Sequence, residues 1–197
     1  MSTTQSFTKR VLAVLFAAVL ACGLIALSGC SKSPEEEAKN ALNAELHTFQ
    51  EGELPSDFSA GDVTSGLSTE KLQELVTAWT GDFSYELGDA TMDGDDKCIV
   101  AAKINSKQLS TALSNGMGDL VTYAMANQSA TQEEITNEVV NIMVKQFNQM
   151  APVESDVKVA MELVNNSWEV SDAGMNELAT AIIGDTSELQ SAISSAA

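Results

Sequence analysis

Residues 157–170, with the sequence VKVAMELVNNSWEV, predict a β-strand, a tight turn and a second strand. Apolar side chains recur at every second position from 157 to 163, which is the period of a strand with one buried face. Asn165 and Asn166 suit the turn because asparagine tolerates the positive φ that two-residue hairpin loops require. The chain is therefore expected to double back here as an antiparallel hairpin.

A second hairpin is predicted earlier in the chain. Phe83, Tyr85 and Leu87 alternate with small or polar residues, and Asp93-Gly94 is a dipeptide typical of hairpin turns. After that turn, apolar residues again occupy alternate positions: Cys98, Val100, Ala102 and Ile104. Two such hairpins predict a four-stranded antiparallel sheet.

Acidic residues around the first turn raise the alternative of a calcium site: Asp89, Asp93, Asp95 and Asp96. A calcium-binding EF-hand loop counted from Asp89 would place Thr91 at its third position and Val100 at its twelfth, and valine cannot supply the carboxylate needed there. We interpret these acids as turn residues, because aspartate hydrogen-bonds readily to its own backbone in turns. No metal site is expected.

Two helices are predicted ahead of the sheet. The first starts at the N-cap Ser33, with Pro34 and a capping box to Glu36, and ends at Gly52. Its apolar stripe consists of Ala38, Leu42, Leu46 and Phe49. The second lies between Ser68 and Gly81, with the stripe Leu72, Leu75, Val76 and Trp79. A loop is expected over residues 53–67.

Two further helices lie between the hairpins, and one follows the second hairpin. The first of them has the stripe Leu109, Leu113, Met117, Leu120 and Ala124. The next starts at a capping box of Thr131 and Glu134 and ends before Pro152, with the stripe Ile135, Val139, Ile142, Met143, Phe147 and Met150. Asp172 is the expected N-cap of the closing helix, which contains Leu178 and Ile182 and ends at Gly184.

Together these elements predict an α+β fold. A four-stranded curved antiparallel sheet, made of two hairpins, packs against about five helices, and an apolar signal helix precedes the domain. Residues 34–184 are expected to form a single domain, because a chain of this length suits one core better than two. Residues 185–197 predict a weak helix or a frayed tail.

The N-terminal sequence predicts export and lipidation. Lys9 and Arg10 precede an apolar run over residues 11–27, as in a secretory signal. Residues 27–30 (Leu27, Ser28, Gly29 and Cys30) resemble a bacterial lipobox, in which the cysteine receives the lipid and becomes the new N-terminus. Residues 1–29 would then be the removed signal peptide and residues 30–33 the lipidated tether.

The alternative to lipidation is an uncleaved membrane-spanning helix. The apolar run of 17 residues would span about 25 Å as a helix. The hydrocarbon core of a bilayer is about 30 Å thick and usually requires about 20 apolar residues. The run is short for a span, so we favour lipidation and place the domain on the extracytoplasmic face of a bacterial membrane.

Charge excludes several classes of partner. Without residues 1–29 the chain keeps eight basic and 28 acidic residues, a formal charge of −20, and no arginine. Such a surface does not suit nucleic acid and is repelled by anionic lipid headgroups. The N-terminal lipid is therefore expected to be the protein's contact with the membrane.

Residues suited to catalysis are scarce. His47 is the only histidine in the sequence and lies beside the apolar stripe of its helix, where it is expected to be solvated. Cys98 is expected to be a buried strand thiol. The sequence contains no G-x-S-x-G motif and no metal-ligand spacing. We expect neither catalytic residues nor a cofactor.

The hairpin of residues 159–170, followed by Leu178 and Ile182, resembles the C-terminal part of a group of uncharacterised bacterial lipoproteins. That group is similar to the cystatin-like cone fold typified by nuclear transport factor 2 domains. The resemblance implies a curved sheet that wraps around helices and encloses a conical cavity. It carries no catalytic residue over to this sequence.

The sequence therefore predicts a tethered, non-catalytic lipoprotein that binds a small apolar ligand or an envelope protein. Methionines within the helices could line an adaptable apolar pocket. The alternatives are a purely structural or regulatory lipoprotein that acts through protein contacts, and a hydrolase or isomerase of the cone fold. The interior between sheet and helices distinguishes them, since a ligand or substrate needs an enclosed pocket.

Replacing Cys30→Ser is expected to release the protein from the membrane or to mislocalise it, because the lipid acceptor is lost. Fractionation of cells into membrane and soluble material measures this outcome. Unchanged membrane retention of the variant would instead support a spanning helix.

Overall fold

The computed structural model describes residues 33–52 and 68–185. Five helices and four strands occur there in the predicted order, which confirms the α+β class. They are α1 (Pro34–Glu51), α2 (Thr69–Thr80), β1 (Ser84–Met92), β2 (Lys97–Ser106), α3 (Leu109–Ala126), α4 (Gln132–Gln149), β3 (Val153–Val164), β4 (Ser167–Val170) and α5 (Asp172–Ile183). The predicted signal peptide, the lipobox with Cys30, the loop over 53–67 and residues 186–197 lie outside the described residues.

The four strands form one antiparallel sheet in the order β1-β2-β3-β4. Asn165 and Asn166 have φ angles of 49° and 67°, so the predicted asparagine turn is confirmed. The first hairpin turns more widely than a two-residue loop, since the Asp93 N–H donates to the Lys97 carbonyl oxygen at 2.8 Å. Gly94 provides the positive φ of 95° within this loop.

The sheet has two distinct ends. At the turn end, the Leu163 N–H donates to the Asp96 carbonyl oxygen at 2.8 Å and so joins the two hairpin turns. Helix α1 starts towards the same end, since Glu36 in its first turn lines one surface depression together with Leu87 of β1. At the opposite end, the side-chain amide of Gln50 donates to the Phe83 carbonyl oxygen at 3.2 Å. Helix α1 therefore runs along the length of the sheet.

The core lies between the helices and one face of the sheet. Alternate residues of β2 and β3 supply the sheet side, as their period predicts: Cys98, Val100, Ala102, Ile104, Val157, Val159 and Met161. The predicted stripe of α1 is buried throughout, and Leu178 and Ile182 of α5 join it. Trp79 of α2 makes an edge contact with Phe49 and stacks on Phe147, with ring centroids 5.3 and 6.1 Å away.

A buried polar cluster connects α2 to the segment after β2. The indole N–H of Trp79 donates to the Lys107 carbonyl oxygen at 2.8 Å. The Lys107 ammonium group, whose side chain is only 6% exposed, lies 2.7 Å from Asp82 and 3.4 Å from the Ala78 carbonyl oxygen. This cation thus binds the C-terminal end of α2, where helix carbonyls and the helix dipole favour positive charge.

The N-cap of α5 is Ser171, and the prediction of Asp172 was wrong by one residue. The Ser171 hydroxyl accepts from the Gly174 N–H at 3.2 Å and donates to the Ala160 carbonyl oxygen at 2.9 Å. Because the same serine binds both β3 and the helix, it fixes the point at which α5 begins. Gly174 is required beside it, since a Cβ atom would overlap the Ala160 backbone.

Replacing Asp82→Asn is expected to lower the free energy of unfolding by about 1–2 kcal/mol, because it leaves the buried Lys107 ammonium without its carboxylate. Urea denaturation measures the change. The matched control is Asp119→Asn, whose partner Lys145 is about half exposed; it is expected to cost less than about 0.5 kcal/mol. Equal losses in both variants would contradict this account.

Candidate interaction surface

Helices α3 and α4 form a helical hairpin at the end of the sheet opposite the turn end. Helix α3 follows the end of β2, and α4 leads into the start of β3. The predicted capping box opens α4: the Glu134 N–H donates to the Thr131 hydroxyl at 3.3 Å, and the Thr131 N–H donates to the Glu134 carboxylate at 2.8 Å. These hydrogen bonds lower the pKa of Glu134. The start of α4 is therefore well defined.

The two helices approach closely at Gly116. A Cβ atom there would lie 2.8 Å from a methyl carbon of Ile142, so any larger residue would push α4 away. Further along the hairpin, the Lys145 ammonium pairs with the Asp119 carboxylate at 2.8 Å. The hairpin is thus held by close backbone packing at one level and by an ion pair at the next.

The core covers less of α3 than its sequence predicts. Its fully buried residues are the small Ser110, Ala112 and Gly116. The larger residues of the predicted stripe are only half-buried (Leu109, Leu113, Met117 and Leu120), and Ala124 is exposed. On α4, Ile135 was predicted to be buried but is 38% exposed, whereas Val140 is buried. The apolar surface of the hairpin therefore extends beyond the core.

The outer face of α3, defined by Ser114, Gly118, Val121 and Met125, points to solvent. Val121 is 47% exposed and Met125 is 72% exposed. With Ile135 they make up three of the five large apolar side chains that are exposed in the described residues. Exposed apolar residues concentrated on one helical hairpin in this way are typical of interaction surfaces, whereas single scattered ones are normal.

Helix α3 is also almost free of charge. Asp119 is its only charged residue, and Lys145 pairs with it. Elsewhere, acidic residues give the chain its strong negative charge. The outer face of α3 is thus a neutral apolar strip on an acidic protein.

Two surface depressions lie beside the helices. One, of about 450 Å³, lies between α3 and α4 and is lined by Asp119, Tyr123, Ile142 and Lys145 among others. The other, of about 400 Å³, lies between α1 and the edge strand β1, where the Tyr85 hydroxyl donates to the Asn43 carbonyl oxygen at 3.1 Å. Both are shallow and open to solvent rather than enclosed. Neither resembles a pocket for an apolar ligand.

Buried side chains form a core between the sheet and the helices. The largest of them are less than 2% exposed, among them Phe147, Leu42, Leu46, Ile104 and Met161. Met143, one of the helix methionines proposed above to line a pocket, belongs to this core, as does Met161 of β3. In the described part of the chain, the interior between sheet and helices is thus a core of packed apolar side chains.

The predicted chemistry-bearing residues do not form a site. His47 is exposed, with Nδ1 3.5 Å from the Glu51 carboxylate, as expected for a solvated histidine. Cys98 is buried, as predicted, and burial raises the pKa of its thiol, which disfavours the reactive thiolate. Within residues 33–52 and 68–185, no group of three or more His, Cys, Asp or Glu side chains could hold a metal ion. No helix in the same ranges is long and apolar enough for a membrane span.

Glu45 is the carboxyl group most affected by its surroundings. It lies half-buried on α1, which packs against β4. Burial raises its pKa to about 7, and the negative charge of Glu169 on β4 adds to the shift. Sequence reasoning missed this residue, because only its place beside β4 distinguishes it from the other glutamates of α1.

No protein-family model and no curated protein sequence matches the chain. Among solved structures, it is similar to the crystal structure of YcdA, a candidate lipoprotein of Bacillus subtilis, at 18% sequence identity and a TM-score of 0.44. The match covers 93% of this chain and 60% of YcdA, so the chain spans less than two thirds of that protein. This likeness is too low to assign a family or a function.

Replacing Glu45→Gln is expected to stabilise the protein at pH 8 and to leave it unchanged near pH 4. The unfolded carboxyl group loses its proton near pH 4.5 and the folded one near pH 7, so the folded state loses stability as the pH rises between these values. The expected gain is about 1–2 kcal/mol after allowance for solvent screening. Urea denaturation at both pH values measures it.

The matched control is Glu177→Gln, at an exposed position on α5. It is expected to change stability by less than about 0.5 kcal/mol at either pH. A pH-independent effect of Glu45→Gln would contradict the assigned cause.

Proposed function

We propose that this protein is a non-catalytic lipoprotein on the extracytoplasmic face of a bacterial membrane. A lipid on Cys30 anchors it, and it acts by binding another envelope protein through the outer face of α3. The anchor rests on the lipobox-like residues 27–30 and the apolar run before them. The binding role rests on the surface of the helical hairpin.

The observation that carries the binding role is the exposed apolar strip on α3. The helix has more apolar residues than the core uses, and Val121 and Met125 remain in solvent. Leaving these side chains in water instead of burying them is unfavourable by roughly 25 cal/mol for each Å² of apolar surface. A partner that covers them recovers this free energy, so the strip favours association.

The position of the helical hairpin suits a tethered binding protein. The lipidated cysteine precedes Ser33 by three residues, and α1 starts towards the turn end of the sheet. Helix α1 has 18 residues and spans about 27 Å toward the other end, where the hairpin begins. The outer face of α3 is therefore held away from the anchor, within reach of other envelope proteins.

Protein binding is favoured over the other predicted functions. A small apolar ligand needs an enclosed apolar pocket, and side chains occupy the interior that would have provided one. A hydrolase or isomerase needs a base and a nucleophile or an acid within reach of one substrate. His47 in solvent and Cys98 in the core offer no such pair.

Photocrosslinking in intact cells tests the proposal. A photoreactive amino acid in place of Met125 is expected to yield a discrete adduct of higher mass after irradiation, because a partner covers this position. The matched control carries the same amino acid in place of Asn148, an exposed residue of α4 that is not on the strip. An absence of adduct at position 125, or the same adducts at both positions, would overturn the proposal.

A further inference from the structure

We infer that the partner of the outer face of α3 is a second copy of this chain, bound in an antiparallel, two-fold symmetric contact. This inference names the partner of the proposed function and rests on it. It is carried by the charge distribution of the protein and by the spacing of the four residues of that face.

Charge restricts where two copies can meet. Each exported copy carries a formal charge of −20, so most pairs of surfaces would bring carboxylates together. Repulsion between such groups is effective within about 8 Å at physiological ionic strength. This repulsion is weak at helix α3, because the charge of its one acidic residue, Asp119, is balanced by Lys145. Two copies can therefore meet along this neutral strip without bringing unpaired carboxylates of α3 together.

The spacing of the outer face is self-complementary. Its residues lie four, three and four positions apart, an order that reads the same in both directions. In an antiparallel pair, Ser114 of one copy therefore faces Met125 of the other, and Gly118 faces Val121. Each small residue is opposite a large one, which is the arrangement that fills the contact between two packed helices.

Space for this packing exists on the free surface. A Cβ atom added to Gly118 would meet no other atom within 4 Å, so the side chain of Val121 from a second copy can lie against the helix backbone there. A two-fold contact repeats each such pair, because the same patch is used on both subunits. The contact thus contains two Ser114–Met125 pairs and two Gly118–Val121 pairs.

The size of the strip predicts a weak, reversible dimer. Helix α3 has 18 residues and is about 27 Å long, so a contact along one face lies at the small end of specific interfaces. Anchoring in one membrane raises the effective concentration of the copies for each other. The dimer is therefore expected on the membrane rather than in dilute solution.

Disulfide crosslinking of the full chain in membranes tests the register directly. The variant with both Ser114→Cys and Met125→Cys is expected to form a species of twice the chain mass under mild oxidation. Within one copy these positions are about 16 Å apart along the helix, too far for a disulfide, so every bridge between them joins two copies. Cys98 does not compete, because it is buried.

Each single variant serves as a control. In the proposed register, position 114 does not face position 114, nor 125 position 125, so either variant alone is expected to give about tenfold less dimer than the double variant. Mixed expression of the two single variants is expected to restore the crosslink. A further control combines Ser114→Cys with Asn148→Cys, which is expected to stay monomeric.

Two outcomes would overturn the inference: a folded double variant that stays monomeric, or single variants that crosslink as well as the double variant. Thermal unfolding of the reduced proteins establishes that they fold. The mass of the photocrosslinked adduct at position 125 distinguishes a failure of this inference from a failure of the proposed function. An adduct that does not have twice the chain mass supports the binding role and overturns self-association.

Discussion

The contact of Trp79 with Phe49 and Phe147 is the interaction on which the rest of the structure depends. It joins α1, which lies on the sheet, to α2 and to α4 of the helical hairpin. The indole N–H also fixes the segment after β2, through the Lys107 carbonyl oxygen. A large aromatic ring buries much apolar surface, and a buried N–H group needs a hydrogen-bond partner. Trp79 therefore packs against two helices through its ring and binds the Lys107 carbonyl oxygen through its indole N–H. The position of the hairpin follows from this junction.

Local sequence was sufficient for the elements of the fold. The alternation in β2 and β3, the Asn165-Asn166 turn and the stripe of α1 were all confirmed, because each depends on neighbours in the chain. The N-cap of α5 was displaced by one residue, since Ser171 is selected by a hydrogen bond to Ala160 in another element. The lengths of loops and the choice of caps depend on such distant partners, which periodicity does not contain.

The candidate site was less predictable for the same reason. The sequence placed Ala124 on a buried stripe and gave Val121 and Met125 no role, because a stripe shows which residues are apolar but not what covers them. Which of the helix methionines belong to the core is likewise settled by three-dimensional packing, as for Met143. One signal was available: α3 contains a single charged residue in a strongly acidic chain. That neutrality is unusual for an exposed helix, and it distinguishes the outer face of α3 from the rest of the surface.

The central claim is that this protein works through the outer face of α3 and not through its interior. The methyl groups of methionine report on both regions, since Met125 is 72% exposed while Met143 and Met161 are buried. The most direct measurement is a methionine-methyl NMR spectrum of the protein purified from its host, with and without detergent-solubilised envelope of that host. The account predicts that the Met125 signal shifts or broadens while those of Met143 and Met161 stay constant. Changes at Met143 and Met161 with an unchanged Met125 would contradict it.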